Sequence, residues 1–248
     1  VCLLHEKPYD GVNGSGKHNN WSLSTDTGIN FLKPGKDPAN NKLFLLSLAA
    51  VLRAVDLHQE LLRISVATAG NDHRLGANEA PPAIVSVFLG EDLEGILESI
   101  ANGTRLDNLS NVKMDMANGI IPAFKKDNTD RNRTSPFAFT GNKFEFRMLG
   151  SASSISDTNV MINTIVADVF SEFADRLEKA EDFDSEVNTI IKETVNTHRR
   201  IIFNGDGYSH EWEEEAERRG LLNLRSTVDA LPLLKSEKNI ELFEKHGV

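Results

Sequence analysis

Near residue 150 the apolar pattern of this chain changes period, and that change limits the folds open to it. Beyond it, Val160, Ile165, Val169, Phe173 and Leu177 recur at the spacing of one helix face. Before it, apolar and polar residues alternate. Trp21 and Leu23 point one way and Asn20 and Ser22 the other, and Phe144 and Phe146 oppose Lys143, Glu145 and Arg147. The sequence therefore predicts a strand-and-loop part, 1–155, and a helical part, 156–248, with further helices over 184–200, 209–219 and 226–245. Within the first part it predicts strands at 1–4, 19–24 and 83–89 and two more between 137 and 149. It also predicts a helix over 42–60 capped by Asn40 or Asn41, a short helix over 91–101, and a long loop over 68–82.

Bulk properties narrow the function. The 248 residues carry a formal charge of -10, which disfavours nucleic acid as a partner because phosphate neutralisation dominates such binding. The longest nearly apolar run, 43–52, is interrupted by Ser47 and is too short to span a bilayer, so no membrane partner is expected. Cys2 is the only cysteine, which removes internal disulfides and cysteine zinc clusters and suits a reducing compartment. The chain opens on Val1 in a strand-like run and reads as a piece of a longer protein.

Four stretches hold the candidate chemistry. In GVNGSGKH, Gly11, Gly16 and Lys17 have P-loop spacing, but His18 stands where Ser or Thr should hold magnesium. A strand follows where a P-loop needs a helix, so the P-loop reading fails. What remains is a glycine-rich turn feeding a strand with His18, Asn20 and Ser22 on one face, either a polar edge or part of a site. In KFEFR, Lys143, Glu145 and Arg147 form a plus-minus-plus row. Such a row is either a solvated face or a carboxylate kept ionised for a divalent metal. Arg74 and Glu79 lie in a loop without large apolar residues, and Arg131 and Arg133 make a basic patch. Cations together with an ionised carboxylate are the groups that phosphoryl transfer requires.

The order NGSGKHNNWSL, RLGANEAP, NRTSP and KFEFR resembles the glutamine synthetases, and the longer wording, including NGDGYSHEW, resembles their type III branch. The resemblance covers nearly the whole chain. It implies an α+β fold of the glutamine synthetase catalytic type: a mostly antiparallel, curved sheet flanked by helices, with a helical C-terminal region. It implies ligation of ammonia to glutamate, driven by ATP with Mg2+ or Mn2+, in a cytoplasmic enzyme that assembles as a double-ring homo-oligomer, a dodecamer. His18 and Glu145 match metal ligands, and Asn13 and Gly14 the turn that holds the amino end of glutamate. Ser22, Asn20 and Lys143 match the ATP site. Arg74, Arg133 and Arg147 match the arginines for substrate carboxylate and transferred phosphate, and Glu79 the flap glutamate. The chain departs from the family pattern at three places. Asn20 replaces a common histidine, Arg74 and Glu79 stand one residue closer together than usual, and an arginine common after NRS has no match. The resemblance also implies that further metal-binding glutamates and a small N-terminal domain lie upstream, so this stretch carries about half a site. Competing readings are a γ-glutamyl-polyamine ligase on the same scaffold, a guanidino kinase, and a non-catalytic assembly module.

Overall fold

A computed structural model describes residues 6, 7, 9, 11, 12, 14–77, 80–103 and 134–248. The strand expected at 1–4 lies outside them. The fold is the expected mixture of a four-stranded sheet and surrounding helices, with strand order β1-β4-β3-β2. Here β1 is Gly16–Trp21, β2 Val87–Phe88, β3 Phe137–Phe139 and β4 Phe144–Gly150. The β1–β4 and β3–β4 pairings are antiparallel and β2–β3 is parallel. Segment 201–203 continues the sheet beyond β2, with a bridge between Val87 and Ile202 and a bond from Phe203 N to Val87 O of 2.9 Å.

Helix α1 (Lys42–Leu57) is capped by Asn41, whose side chain accepts from Phe44 N, as the sequence predicts. It is buried along almost its whole length against α5 (Ser156–Glu178) and α6 (Phe183–His198). Its Phe44 ring meets Phe139 of the sheet, where Phe137 stacks on Phe144 at 4.7 Å. One apolar cluster therefore runs through the sheet and the helical region.

Several boundaries differ from the sequence reading. The helix expected over 42–60 is two, because His58 leaves helical geometry (φ -129, ψ 41) and α2 (Gln59–Ile64) starts after it. The Asp56 carbonyl accepts instead from Gln59 Nε2, at 3.0 Å. The Asp56 carboxylate is itself held by His198 and Arg200. Of the strand expected over 83–89, only Val87 and Phe88 form a ladder strand, and Ile84 makes a single bridge to Asn223. Ala83 to Ser86 are buried without a ladder, and burial alone demands the same apolar residues. The stretch 68–82 contains a helix, α3 (Ala69–Arg74), capped by Thr68. Helices α4 (Glu91–Ala101), α7 (His210–Arg218) and α9 (Glu237–His246) fall close to their expected places. The span 226–245 is broken into α8 (Thr227–Ala230), a 3-10 turn at Leu231–Lys235, and α9.

The last helix is fastened by charge. Lys238 pairs with Glu60 and donates to Leu57 O at 2.6 Å, and Lys245 and His246 both pair with Asp168. Beneath it, burial and then the Lys238 ammonium hold the His58 imidazole below its ordinary 6.5, with Glu60 opposing. A histidine depressed in this way binds its proton more weakly folded than unfolded. Its share of stability is present above pH 6.5 and is lost as pH falls below that value. The variant His58→Gln is expected to flatten the decline in unfolding free energy below pH 6.5, measured by urea titration at a series of pH values; an unchanged slope rules this origin out.

Candidate active site

The β1–β4 pairing contains an irregularity at the residue of interest. Lys17 stands opposite Leu149 and Asn19 opposite Phe146, so Arg147 and Met148 together face the single residue His18. A bulge of this kind interrupts the ladder and re-aims nearby side chains. Here Phe144, Phe146 and Met148 are fully buried in the core. Glu145 and Arg147 turn toward His18. The His18 Nδ1 to Glu145 Oε2 distance is 3.6 Å, and Arg147 Nη2 lies 3.2 Å from the same oxygen.

This charge row is not a solvated face. The Arg147 side chain is 5% exposed and that of Glu145 20% exposed. Burial and then the Arg147 guanidinium lower the His18 pKa, with Glu145 opposing and Arg74 lowering it further. At neutral pH the imidazole is uncharged and offers a lone pair.

Asn20 lies across from Glu145 in register, on the same face. At the far end, Ser22 Oγ donates to Asn142 O at 2.9 Å, and Asn30 Nδ2 donates to Ser22 Oγ at 3.1 Å. These bonds join the end of β1 to the turn that carries Lys143. At the near end, the Arg74 guanidinium is buried. Its Nη1 donates to Asn71 Oδ1 at 3.0 Å and to Leu149 O at 2.9 Å. Gly14 packs on Lys7, where a Cβ would come within 2.5 Å of the Lys7 nitrogen.

The structure thus brings His18, Glu145, Arg147, Arg74 and Asn20 together, with Ser22 and Lys143 at one end and Gly14 at the other. Asn13, Glu79 and Arg133 lie outside the described residues. Their neighbours are fixed: Gly76 N donates to Ala80 O and Pro81 O, and the Thr134 hydroxyl accepts from Gly207 N at 2.7 Å. The hollow of about 440 Å³ between α4 and α6, lined by Glu94, Glu98, Arg199 and Arg200 among others, includes none of the candidate residues.

Sequence reasoning missed Asn71, which is fully buried and donates to Val66 O and Met148 O, each at 2.8 Å. Nothing in a loop-like AGNDHR distinguishes such a residue. It also missed Asn204, whose Oδ1 accepts from Leu89 N and Gly90 N at the start of α4. The signal for Asn204 was the NGDGYSHEW wording, which had no chemistry attached to it.

An imidazole nitrogen and a carboxylate oxygen side by side suit manganese or magnesium. Among the described residues no third His, Cys, Asp or Glu joins them. The two fit a cation whose other positions are filled by phosphate, water or other parts of a protein.

The chain that carries this groove is similar, over its whole length, to glutamine synthetases. It is 52% identical to the type-3 glutamine synthetase of Dictyostelium discoideum and 48% identical to a glutamine synthetase of Butyrivibrio fibrisolvens. It covers 34% and 35% of those proteins. A glutamine synthetase of Bacteroides fragilis (strain YCH46) is 49% identical over 93% of the chain, which covers 33% of it. Residues 186–248 match the family model for the glutamine synthetase C-terminal domain. The chain spans about a third of the length of the curated relatives it matches.

Gly16 gives a direct test of the groove. Any Cβ there would overlap the Arg74 guanidinium. Gly16→Ala is expected to displace Arg74 and to destabilise the fold by about 1–3 kcal/mol through lost bonds to buried carbonyls. Denaturant unfolding checks this, and unchanged stability means that Arg74 does not anchor there.

Proposed function

We propose that a complete protein carrying this segment is a glutamate–ammonia ligase that forms glutamine, ADP and phosphate from glutamate, ammonia and ATP. The observation that carries this reading is the His18–Glu145–Arg147 constellation on the β1–β4 bulge, with Arg147 buried and the His18 imidazole open to a ligand, in a chain about half identical to proteins named glutamine synthetase.

A carboxylate cannot lose oxide, so the glutamate side chain must first be activated by transfer of the terminal phosphoryl group of ATP, giving γ-glutamyl phosphate and ADP. Ammonia then attacks the acyl carbon, the C–O bond to phosphate breaks, and the ammonium formed gives up a proton. His18 and Glu145 would hold Mg2+ or Mn2+, which when bound neutralises phosphate charge. Arg147 is assigned to the transferred phosphoryl group and the substrate carboxylate. Its planar fork suits both, and its burial strengthens the interaction. It also pairs with Glu145, Nη2 to Oε2 at 3.2 Å, which holds that carboxylate beside His18. Arg74 and Arg133 are assigned to substrate and phosphate. Gly14 and Asn13 are assigned to the amino end of glutamate, and Ser22, Asn20 and Lys143 to the nucleotide. Glu79 is assigned to the closing loop, where exclusion of water protects the acyl phosphate. Assembly as a double-ring homo-oligomer in the cytoplasm belongs to the same reading. No helix of the described residues is long and apolar enough to cross a membrane.

The decisive experiment is γ-glutamyl hydroxamate formation from glutamate, ATP and hydroxylamine with Mg2+, using a complete protein with this sequence. Activity that disappears in Glu145→Ala supports the reading. A protein that binds Mg-ATP but makes no hydroxamate defeats the glutamate assignment and points to another acid or amine. Arg147→Ala is expected to cost about 2–5 kcal/mol in kcat/KM for glutamate, the range for one partner of a desolvated charge pair. Unchanged steady-state kinetics would remove Arg147 from the site.

A further inference from the structure

We propose that Asn159 and Asn163 of α5 are positioning residues that fix β1 in register, so that His18 stands beside Glu145. This rests on the reading of His18 and Glu145 as cation ligands.

Strand alternation gives β1 two faces. The even-numbered residues His18 and Asn20 of β1, and Ser22 just beyond it, face the groove. The odd-numbered residues Lys17, Asn19 and Trp21 face the other way, where an ordinary strand would present apolar side chains to the core. Here each makes a directed polar bond, Trp21 while its ring also joins the core. Lys17 Nζ donates to Ser153 O at 2.6 Å, Asn19 Nδ2 to Asn159 Oδ1 at 2.8 Å, and Trp21 Nε1 to Asn163 Oδ1 at 2.9 Å. An indole N–H can only donate, so Asn163 must present its oxygen.

The spacings match. Two residues along a strand advance about 6.6 Å. Four residues along a helix advance about 6.0 Å. Asn19 and Trp21 therefore pair in step with Asn159 and Asn163, and a shift of β1 along α5 would break both bonds together.

The anchors sit where the sheet is weakest. Two β4 residues oppose His18, so the ladder is interrupted at that residue. Lys17 and Asn19 flank it and are held from behind. The 23-residue α5, whose Ile162, Ile165, Val166 and Val169 are buried in the core, is a rigid support for them.

The test uses a complete protein with this sequence in five variants: Asn159→Leu, Asn163→Leu, Asn159→Asp, Trp21→Phe and His18→Ala. Each is examined for Mn2+ affinity by electron paramagnetic resonance and, without metal, for hydrogen exchange of the β1 amides by mass spectrometry. Both leucine variants are expected to bind Mn2+ about 10- to 100-fold more weakly, the effect of losing support behind a metal ligand. They are also expected to exchange faster in β1. Asn159→Asp keeps an acceptor and is expected to restore both values. Folded leucine variants with unchanged Mn2+ affinity overturn the proposal, whether or not exchange quickens. If the leucine variants do not fold, Trp21→Phe decides, because it removes one donor and keeps the buried ring: weaker Mn2+ binding supports the proposal and unchanged binding overturns it. If His18→Ala leaves Mn2+ affinity unchanged, the cation reading itself has failed. Exchange in β1 then judges the anchor alone, quickened exchange supporting it and unchanged exchange overturning it.

Discussion

At the β4 bulge opposite His18, side chains of α3 reach main-chain carbonyls, and buried carbonyls without donors are expensive. Asn71 donates to Met148 O and Arg74 to Leu149 O, both from α3. The rest of the groove follows from this exchange. The bulge turns Glu145 and Arg147 toward His18. The donors that compensate it fix a short helix whose Gly- and Asn-rich sequence would not form one unaided. Arg74 then lies against the start of β1 so closely that only glycine fits at position 16. Irregular backbone, a poor helix former and an invaded glycine are thus one arrangement seen from three sides.

Much of this was legible in the sequence and some was not. The alternation in KFEFR identified a strand and its buried face, because period-two patterning is imposed directly by the pleat; that in NNWSL identified only part of one, since β1 runs Gly16–Trp21 rather than over 19–24. Helices α4, α5 and α6 were legible for the equivalent reason. The bulge was not, since one surplus residue in a strand changes no local pattern and is defined only by its partner. The break at His58 was equally hidden, because it depends on Gln59 reaching back to the Asp56 carbonyl while Asp56 is held by His198 and Arg200, far along the chain. The charge row on β4 could be read as exposed or as buried, and only the surrounding fold decides between them. The region after 184 offered no chemistry, yet it matches the family's C-terminal domain. Packing residues spread over a helix leave a trace in a family profile without making a motif.

The two halves that differ in pattern do not behave as separate bodies. Arg63, almost wholly buried, donates to Leu224 O and to Asp72, whose carboxylate in turn accepts from Thr227 N. Asn204 satisfies the amides of Leu89 and Gly90 just before α4, and Gly207 holds Thr134, the neighbour of Arg133. Segments that carry candidate chemistry are therefore held by residues far downstream that carry none.

The bond from Phe203 N to Val87 O has a consequence for how such a chain is made. Synthesis runs from the N-terminus, so β2 emerges more than a hundred residues before the segment that lines its outer edge. For that interval the nascent sheet has an open border, able to recruit a strand from another chain. The exposed interval ends only when residues 201–203 arrive. A ribosome that stalls between them leaves a product whose hazard is aggregation rather than mere inactivity.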